Sequence, residues 1–177
     1  MAIQIGAKPD SGFDDPLGML RDCHRRIERF LHVLCVVAAQ ASSRSLNKEE
    51  SAAVTAALHY FREGGRRHNA DEEESLFPRL CAAQPDDFQA NLAHLEDDHR
   101  QTERLHQRVE AFYREWIDSA TLSSSEHQAL LSATSELQRI YTEHIRLEES
   151  IVFPHAAQTL DKTAIAVIGS EFQARRK

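Results

Sequence analysis

One eleven-residue pattern occurs twice in this sequence, and it limits the fold more than any other feature. It reads H-x3-E-E-x3-F-P, first from His68 to Pro78 and again from His144 to Pro154. The two patterns match position by position, so the offset between the histidines equals the offset between the glutamates that follow them. A repeat of this kind indicates that the chain contains two copies of one structural unit.

Each copy also has a histidine on the segment before the pattern. The interval from His24 to His68 and the interval from His99 to His144 are equal to within a single position. Residues at i and i+4 share one face of an α-helix, so the second helix of each copy presents a histidine and a glutamate on one side. Each copy is therefore predicted to be a helical hairpin with one histidine on its first helix and HxxxE on its second.

Helix-forming residues fill the long stretches between the few glycines and prolines, which predicts an all-α fold. The predicted helices cover about residues 15–40, 47–80, 85–118 and 123–154, with a short terminal helix at about 159–173. Each of the four long helices has one apolar stripe that includes one histidine. Short connections make neighbouring helices antiparallel, so we predict an up-down-up-down four-helix bundle.

Capping signals set the predicted helix starts. Each signal combines a polar or acidic residue with a nearby proline or with a glutamate three residues later. The signals are Asp14-Asp15-Pro16, Asn47 with Glu50, Pro85-Asp86-Asp87, and Ser123 with Glu126. The polar run Ser42-Ser43-Arg44-Ser45 is predicted to end the first helix.

The composition is typical of one globular domain. We predict a single domain over residues 1–177, with the bundle at about 15–156 and a C-terminal extension at about 157–177. There is no apolar run of the roughly 20 residues that a membrane span needs. Residues 1–13 lack the features of a secretory signal, so we expect a cytoplasmic protein. The net charge of -7 argues against nucleic acid as a partner.

Cysteine chemistry is not expected. Cys23, Cys35 and Cys81 are odd in number and share no CxxC spacing. This pattern argues against a disulfide framework, an iron–sulfur site and a zinc knuckle. We expect all three to be small buried side chains.

Packing the two hairpins together brings four imidazoles and two carboxylates into one core. Burying two unpaired glutamates would cost several kcal/mol each, and cations remove that cost. Two divalent metals, bridged by the carboxylates and each bound by two imidazoles, would keep coordination positions open for a small ligand such as dioxygen. Imidazole also suits zinc, copper and nickel, and only the mixed ligand set favours iron.

These residues resemble the hemerythrin-like, HHE cation-binding family. The resemblance covers roughly residues 15–156 and rests on the duplicated HxxxEE followed by FP. It implies a di-iron centre with a carboxylate and oxo or hydroxo bridge, as in members that repair iron–sulfur centres under nitrosative stress. The ligands that the resemblance implies are His24, His68, Glu72, His99, His144 and Glu148.

The sequence departs from the family pattern in two respects. The oxygen-carrying hemerythrins of invertebrates use five histidines, one of them from a second position on the third helix. Here the residues four before and four after His99 are Leu95 and Glu103, which argues against reversible oxygen carriage. The repair proteins also usually carry a small N-terminal domain with a cysteine, and we expect none here.

Several other residues are candidates for secondary roles. Glu28 and Glu103 follow His24 and His99 by four residues, which makes them alternative ligands. Glu73 and Glu149 are expected to support the site as hydrogen-bond acceptors or to face solvent. Tyr141 precedes His144 by one helical turn and is either a core residue or a donor to bound oxygen species. Gly64-Gly65 inside a helix is expected to kink that helix or to admit a neighbouring helix.

The remaining histidines are not expected to reach the metals. His59 and His94 are out of phase with the ligand stripe and should lie on the surface. The others are too far along the helix axis or belong to a first helical turn: His32, His106, His127 and His155.

Two classes of function fit these features. The first is a non-haem di-iron protein that binds, senses or reacts with dioxygen, nitric oxide or peroxide, as a monomer or homodimer. The second is an iron-responsive interaction module without catalysis. Ferritin-like chemistry needs two ExxH motifs on different helices, and Glu96 with His99 has no counterpart of this kind on another helix. A zinc hydrolase would need a nucleophile or general base that does not stand out. The sequence assigns no enzymatic activity and no protein partner.

Overall fold

The structure is a computed structural model, and it describes residues 10–41, 44–81 and 86–177. These residues form an all-α bundle without strands, which confirms the predicted fold class. Two predicted boundaries, the break at Ser42-Ser43 and the helix start at Pro85, lie outside the described residues. Within the described ranges, no helix is long and apolar enough to cross a membrane.

The first helix, α1, covers Pro16–Gln40 and begins where the sequence predicts. The Asp15 side chain caps it by accepting a hydrogen bond from the backbone N–H of Gly18 at 3.0 Å. Proline stands at the first helical position, where the missing N–H has no intrahelical partner to lose.

The second helix, α2, spans 48–81 and opens with a complete capping box between Asn47 and Glu50. It is not a regular α-helix throughout. Its α-helical parts are Lys48–Tyr60, Arg66–Asp71 and Phe77–Cys81, separated by π-helical turns at Phe61–Gly65 and Glu72–Leu76. Insertions of this kind often mark functional sites.

The third and fourth helices complete the bundle. Helix α3 covers Asp86–Ser119, and α4 spans 124–159 with a capping box between Ser123 and Glu126. A π-helical turn at Glu148–Val152 interrupts α4. Helix α1 packs against α2 and α4, and α3 also packs against both, which gives a closed ring of four helices. The fifth helix, α5, covers Lys162–Ala174 and packs against α1 and the second π-helical turn of α2.

The apolar core is divided into two clusters. The upper apolar cluster includes Leu34, Val54, Tyr113, Trp116 and Leu130. The lower apolar cluster includes Leu20, Leu76, Leu92, Phe153 and Phe172. The inward-facing histidines interrupt the apolar stripes between these clusters, so the bundle has a polar layer in its middle.

Gly64 and Gly65 do not make room for a neighbouring helix. A Cβ atom added at Gly64 would meet the ring of Tyr60 at 2.8 Å, and one at Gly65 would meet the ring of Phe61 at 3.6 Å. Both rings belong to α2 itself. The two glycines are instead the last residues of the first π-helical turn. The irregularity of α2 at this point is this π-helical turn.

Candidate metal centre

The four histidines and two glutamates expected in the middle of the bundle do meet there. Their donor atoms form two groups, and within each group these atoms lie within 4.8 Å of one another. One group contains His24 and His68, the other contains His99 and His144, and both groups share Glu72 and Glu148. All six side chains are buried, with both glutamates 0% exposed.

Each glutamate lies between one histidine of each group. Oε1 of Glu72 is 3.5 Å from Nε2 of His68, and Oε2 is 3.3 Å from Nε2 of His99. Glu148 repeats this arrangement, with Oε2 3.0 Å from Nε2 of His24 and Oε1 3.2 Å from Nε2 of His144. A carboxylate placed in this way can bridge two cations, one on each oxygen.

Glu72 and Glu148 occupy equivalent local structures. Each follows its histidine by four residues, and each is the first residue of a π-helical turn. A π turn widens the helix by one residue, so it shifts the side chains that follow relative to an α-helical register. The internal repeat is therefore preserved in the backbone as well as in the sequence.

Several buried polar atoms of the centre are unsatisfied. Nε2 of His24 and all four carboxylate oxygens of Glu72 and Glu148 make no hydrogen bond. Buried polar atoms in folded proteins almost always have a partner, and leaving one without a partner costs roughly 1–3 kcal/mol or more. Atoms that converge at 3.0–3.5 Å without aligned hydrogen bonds fit the donor set of a cation site.

The pKa shifts of the two glutamates also fit a cation site. Burial, and then the negative charge of Glu148, raises the pKa of Glu72 well above its usual value. Burial would also raise the pKa of Glu148, but His144 and His24 beside it lower that pKa well below its usual value. The protein groups alone thus stabilise one ionised carboxylate and disfavour the second, and bound cations would allow both to ionise.

Carboxylates on the far side of the imidazoles fix three of the four rings. Nδ1 of His24 donates to Glu149 at 2.8 Å, and Nδ1 of His99 donates to Glu73 at 2.7 Å. The two contacts are related by the internal repeat. Such a bond leaves the Nε2 lone pair facing the centre, the tautomer that metal binding needs.

Asp98 supplies the third of these contacts, and the sequence did not reveal it. Its Oδ2 lies 3.3 Å from Nδ1 of His144. Asp98 directly precedes His99, and the equivalent position before His24 is occupied by Cys23. In the described structure Nδ1 of His68 makes no hydrogen bond. The two copies of the repeat therefore differ, because one has a carboxylate that supports a histidine and the other does not. The sequence signal for this difference is Cys23 at the position equivalent to Asp98.

The family comparison agrees with this geometry. The family model described as the hemerythrin HHE cation binding domain matches residues 15–156. The chain belongs to this hemerythrin HHE family. None of the curated protein sequences is similar enough to the chain to count as a relative. The buried His/Glu cluster fits the cation binding of this hemerythrin family, and α5 lies beyond the matched residues.

The two alternative ligands lie outside the cluster. Glu28 is exposed on α1. Glu103 is also exposed and accepts a hydrogen bond from Arg66 at 2.9 Å. Of the four glutamates that follow a histidine of the cluster by four residues, the two in the cluster are those at which a π-helical turn begins, on α2 and α4.

Tyr141 and His106 form a pair above the centre. The phenol oxygen of Tyr141 lies 3.0 Å from Nε2 of His106, and the Tyr141 ring centroid is 6.4 Å from that of His144. Burial lowers the pKa of His106 to about 3, so this imidazole is neutral, and Nδ1 has no partner among the described residues. Burial also raises the pKa of Tyr141, so the phenol keeps its proton.

The other histidines and the cysteines divide between surface and core. His32, His59 and His94 are exposed, as expected for the latter two. His127 donates to the carbonyl of Ala38 at 2.7 Å, and the His155 ring packs against Phe88. The expectation of three buried cysteines is wrong for Cys81, which is exposed near the end of α2, and Cys35 is only half-buried.

A cavity of about 480 Å³ lies between α2 and α3 and reaches the centre. His99 and Glu73 line it on the side of the metal cluster, and His106 and Tyr141 line it as well. The exposed side chain of Arg66 also borders the cavity, which links it to solvent. The cavity is large enough for molecules of a few atoms.

Proposed function

We propose that this hemerythrin-family chain binds two iron ions and uses them to bind, sense or react with dioxygen, nitric oxide or peroxide. The observation that carries the proposal is the position of Glu72 and Glu148, each between a histidine of one group and a histidine of the other. The proposed ligands are His24, His68, Glu72, His99, His144 and Glu148. A mixed set of imidazoles and bridging carboxylates favours iron among the divalent metals.

The proposed ligands form two groups, one for each metal ion. His24 and His68 would hold one ion, His99 and His144 the other, and the two glutamates would span both. Iron would supply redox electrons and an open coordination position for a small ligand. Each ion would be held by two imidazoles and a share of two carboxylates, fewer protein ligands than an octahedral ion accepts.

The outer carboxylates hold the imidazoles in place. Glu149, Glu73 and Asp98 accept hydrogen bonds from Nδ1 of three ligand histidines. This contact keeps the ring from rotating and raises the basicity of Nε2. His68 is the proposed ligand without such support, so we expect its ring to be the least firmly held.

The cavity between α2 and α3 offers a small ligand a way to the proposed metal ions. It borders His99 and ends near the His106–Tyr141 pair. Since the phenol of Tyr141 is protonated, it can donate a hydrogen bond to a polar ligand that enters from this side. The apolar ring of Phe61 also lines the cavity, which suits uncharged diatomic molecules.

The test is metal content together with the ultraviolet–visible spectrum. Protein produced with iron and kept anaerobic is analysed for metals and then exposed to air. About two irons per chain and a new near-ultraviolet oxo-bridge band on oxidation would support the proposal. Zinc, or no metal at all, would contradict it and would favour an interaction module without catalysis.

A further inference from the structure

Helix α5 lies outside the residues matched by the family model and packs directly on a ligand-bearing segment. Ile168 and Phe172 of α5 are fully buried in the lower apolar cluster, which also contains Leu76. Leu76 is the last residue of the π-helical turn that begins at Glu72. Gly169 allows the close approach of α5 to the N-terminal segment, because a Cβ there would collide with the carbonyl oxygen of Phe13.

The end of α5 makes a second, charged contact with the same segment. Asp71 is fully buried, and its two carboxylate oxygens accept hydrogen bonds from Arg175 at 2.9 Å and from Arg176 at 2.6 Å. Arg175 also donates to the hydroxyl of Ser75 at 2.7 Å. Asp71 and Ser75 lie on either side of Glu72 in the chain, so the two arginines that follow α5 contact this segment on both sides of the glutamate.

A third contact joins α5 to α2 one turn further on. Arg79 donates to Glu171 through both of its terminal nitrogens, at 3.1 and 2.7 Å.

Arg175 and Arg176 are structural residues, although the sequence shows them as a short basic cluster. Asp71 satisfies both of them inside the protein.

The internal repeat shows that these anchor residues are specific to the side where α5 docks. Asp71 directly precedes Glu72 and Ser75 follows it by three positions, and the equivalent positions around Glu148 are Leu147 and Ile151. Leu147 packs against the lower apolar cluster, and Ile151 is exposed. The buried carboxylate and the hydroxyl thus occur beside Glu72 and have no counterpart beside Glu148.

We propose that α5 is a positioning latch for Glu72: Arg175 and Arg176 hold Asp71, and this contact keeps the π-helical turn in the register that brings Glu72 to both metal positions. The inference rests on the metal centre proposed above. A buried carboxylate that loses both guanidinium partners is strongly unfavourable, so the segment that carries it must rearrange when α5 detaches. Glu72 faces both His68 and His99, and its displacement loosens both ions.

The first experiment compares metal release from two variants of the full chain. Arg175→Ala with Arg176→Ala removes the latch, and Arg44→Ala removes a paired arginine of the same kind at the start of α2. Both proteins are loaded with iron and mixed with an excess chelator. We expect the latch variant to release metal about tenfold faster than the wild type, in line with supporting contacts of other metal sites. The Arg44→Ala control should release it at the wild-type rate.

A triple variant separates positioning from the cost of an unpaired charge. Asp71→Leu combined with both arginine substitutions leaves no buried carboxylate without a partner and copies the leucine of the second repeat. If α5 positions Glu72, the triple variant also releases metal quickly although it folds normally. Release at the wild-type rate would show that only the unpaired charge mattered, and would overturn the proposal.

Hydrogen–deuterium exchange tests the latch independently of the metal. In metal-free protein, the double arginine variant should exchange its backbone amides faster at 68–76 than the wild type does, with the upper half of the bundle unchanged. Equal exchange in this segment, or a uniform increase along the chain, would overturn the latch. If the wild type binds no metal, the proposed centre fails, and the exchange result still decides whether α5 holds this segment.

Discussion

Glu73 on α2 accepts a hydrogen bond from Nδ1 of His99 on α3 at 2.7 Å. The glutamate that follows Glu148 does the same for His24, so the two adjacent glutamates of each HxxxEE pattern are one proposed ligand and one residue that orients a ligand on another helix. Two adjacent glutamates thus have two different roles: the first is a proposed metal ligand, and the second orients a ligand histidine. The distinction between its two members can be tested directly.

The first prediction concerns the inner and outer glutamates. Glu72→Ala or Glu148→Ala should abolish binding of at least one metal ion, because each removes both oxygens that span the two positions. Glu73→Ala should keep both ions and weaken their binding by about 10–100-fold, since it removes only the support of His99. Metal content after gel filtration checks this prediction. Full occupancy in either inner variant would show that the ligand assignment is wrong.

The second prediction concerns Tyr141. Tyr141→Phe should leave the metal content unchanged and destabilise the protein by about 1 kcal/mol, because a buried hydroxyl loses its hydrogen bond. It should also change the rate at which the iron-loaded protein reacts with dioxygen or nitric oxide, measured by stopped-flow absorbance.

The matched control for this substitution is Tyr113→Phe. The Tyr113 hydroxyl donates to the Leu34 carbonyl in the upper apolar cluster, away from the cavity. Its loss should lower stability by a similar amount and leave the reaction rate unchanged. Equal reaction rates in both variants and the wild type would show that Tyr141 does not affect the reaction with the small ligand.

The third prediction concerns pH. His106 has a folded pKa of about 3 against an ordinary value of 6.5, because burial disfavours its charged form. Between these two values the unfolded chain binds the additional proton, so His106 lowers the stability of the fold as pH falls from 6.5 towards 3. The effect amounts to at most about 1.4 kcal/mol per pH unit.

Comparison with His106→Asn isolates this contribution. Urea unfolding of the metal-free proteins between pH 7 and pH 4 should show a shallower pH dependence for the variant. The ligand histidines titrate in both proteins, so their effect cancels in the difference. Parallel pH profiles would mean that His106 is accessible to protons in the folded state.

The fourth prediction concerns metal removal. The metal-free centre retains unsatisfied atoms on Glu72 and Glu148, so a cation that binds only the folded state should stabilise it. At a metal concentration about 100 times the dissociation constant, the gain is about 2.7 kcal/mol. Thermal unfolding with and without chelator measures this gain. An unchanged melting temperature would mean that the cluster is satisfied without metal.

The proposed ligands could be found from the sequence because the longer pattern H-x3-E-E-x3-F-P occurs twice and singles out two of the HxxxE pairs. An i and i+4 pair on one face, repeated in the second half of the chain, leaves little freedom once the hairpins pack. For the outer glutamates the sequence left two alternatives, support of the site or exposure to solvent, and it gave no expectation for Asp98. Its contact with His144 joins two helices at positions that no repeat relates, so only the packed bundle reveals it.

Other features depend on backbone geometry or docking that residue patterns do not encode. The sequence shows HxxxE on all four helices, and it does not reveal that π-helical turns begin at Glu72 and Glu148, the two glutamates that lie in the centre. The ring of Phe61 on α2 stacks on the ring of His106 on α3, with 4.1 Å between the ring centroids. This contact between two helices contributes to the burial of His106. The role of Asp71 appears only when α5 is placed against it.

The measurement that tests the central claim most directly is Mössbauer and electron paramagnetic resonance spectroscopy of the iron-loaded, air-oxidised protein. If Glu72 and Glu148 bridge two ions, the chain holds two ferric ions that couple to a diamagnetic ground state, with no paramagnetic resonance signal. One iron per chain with the signal of an isolated high-spin ferric ion would contradict the account.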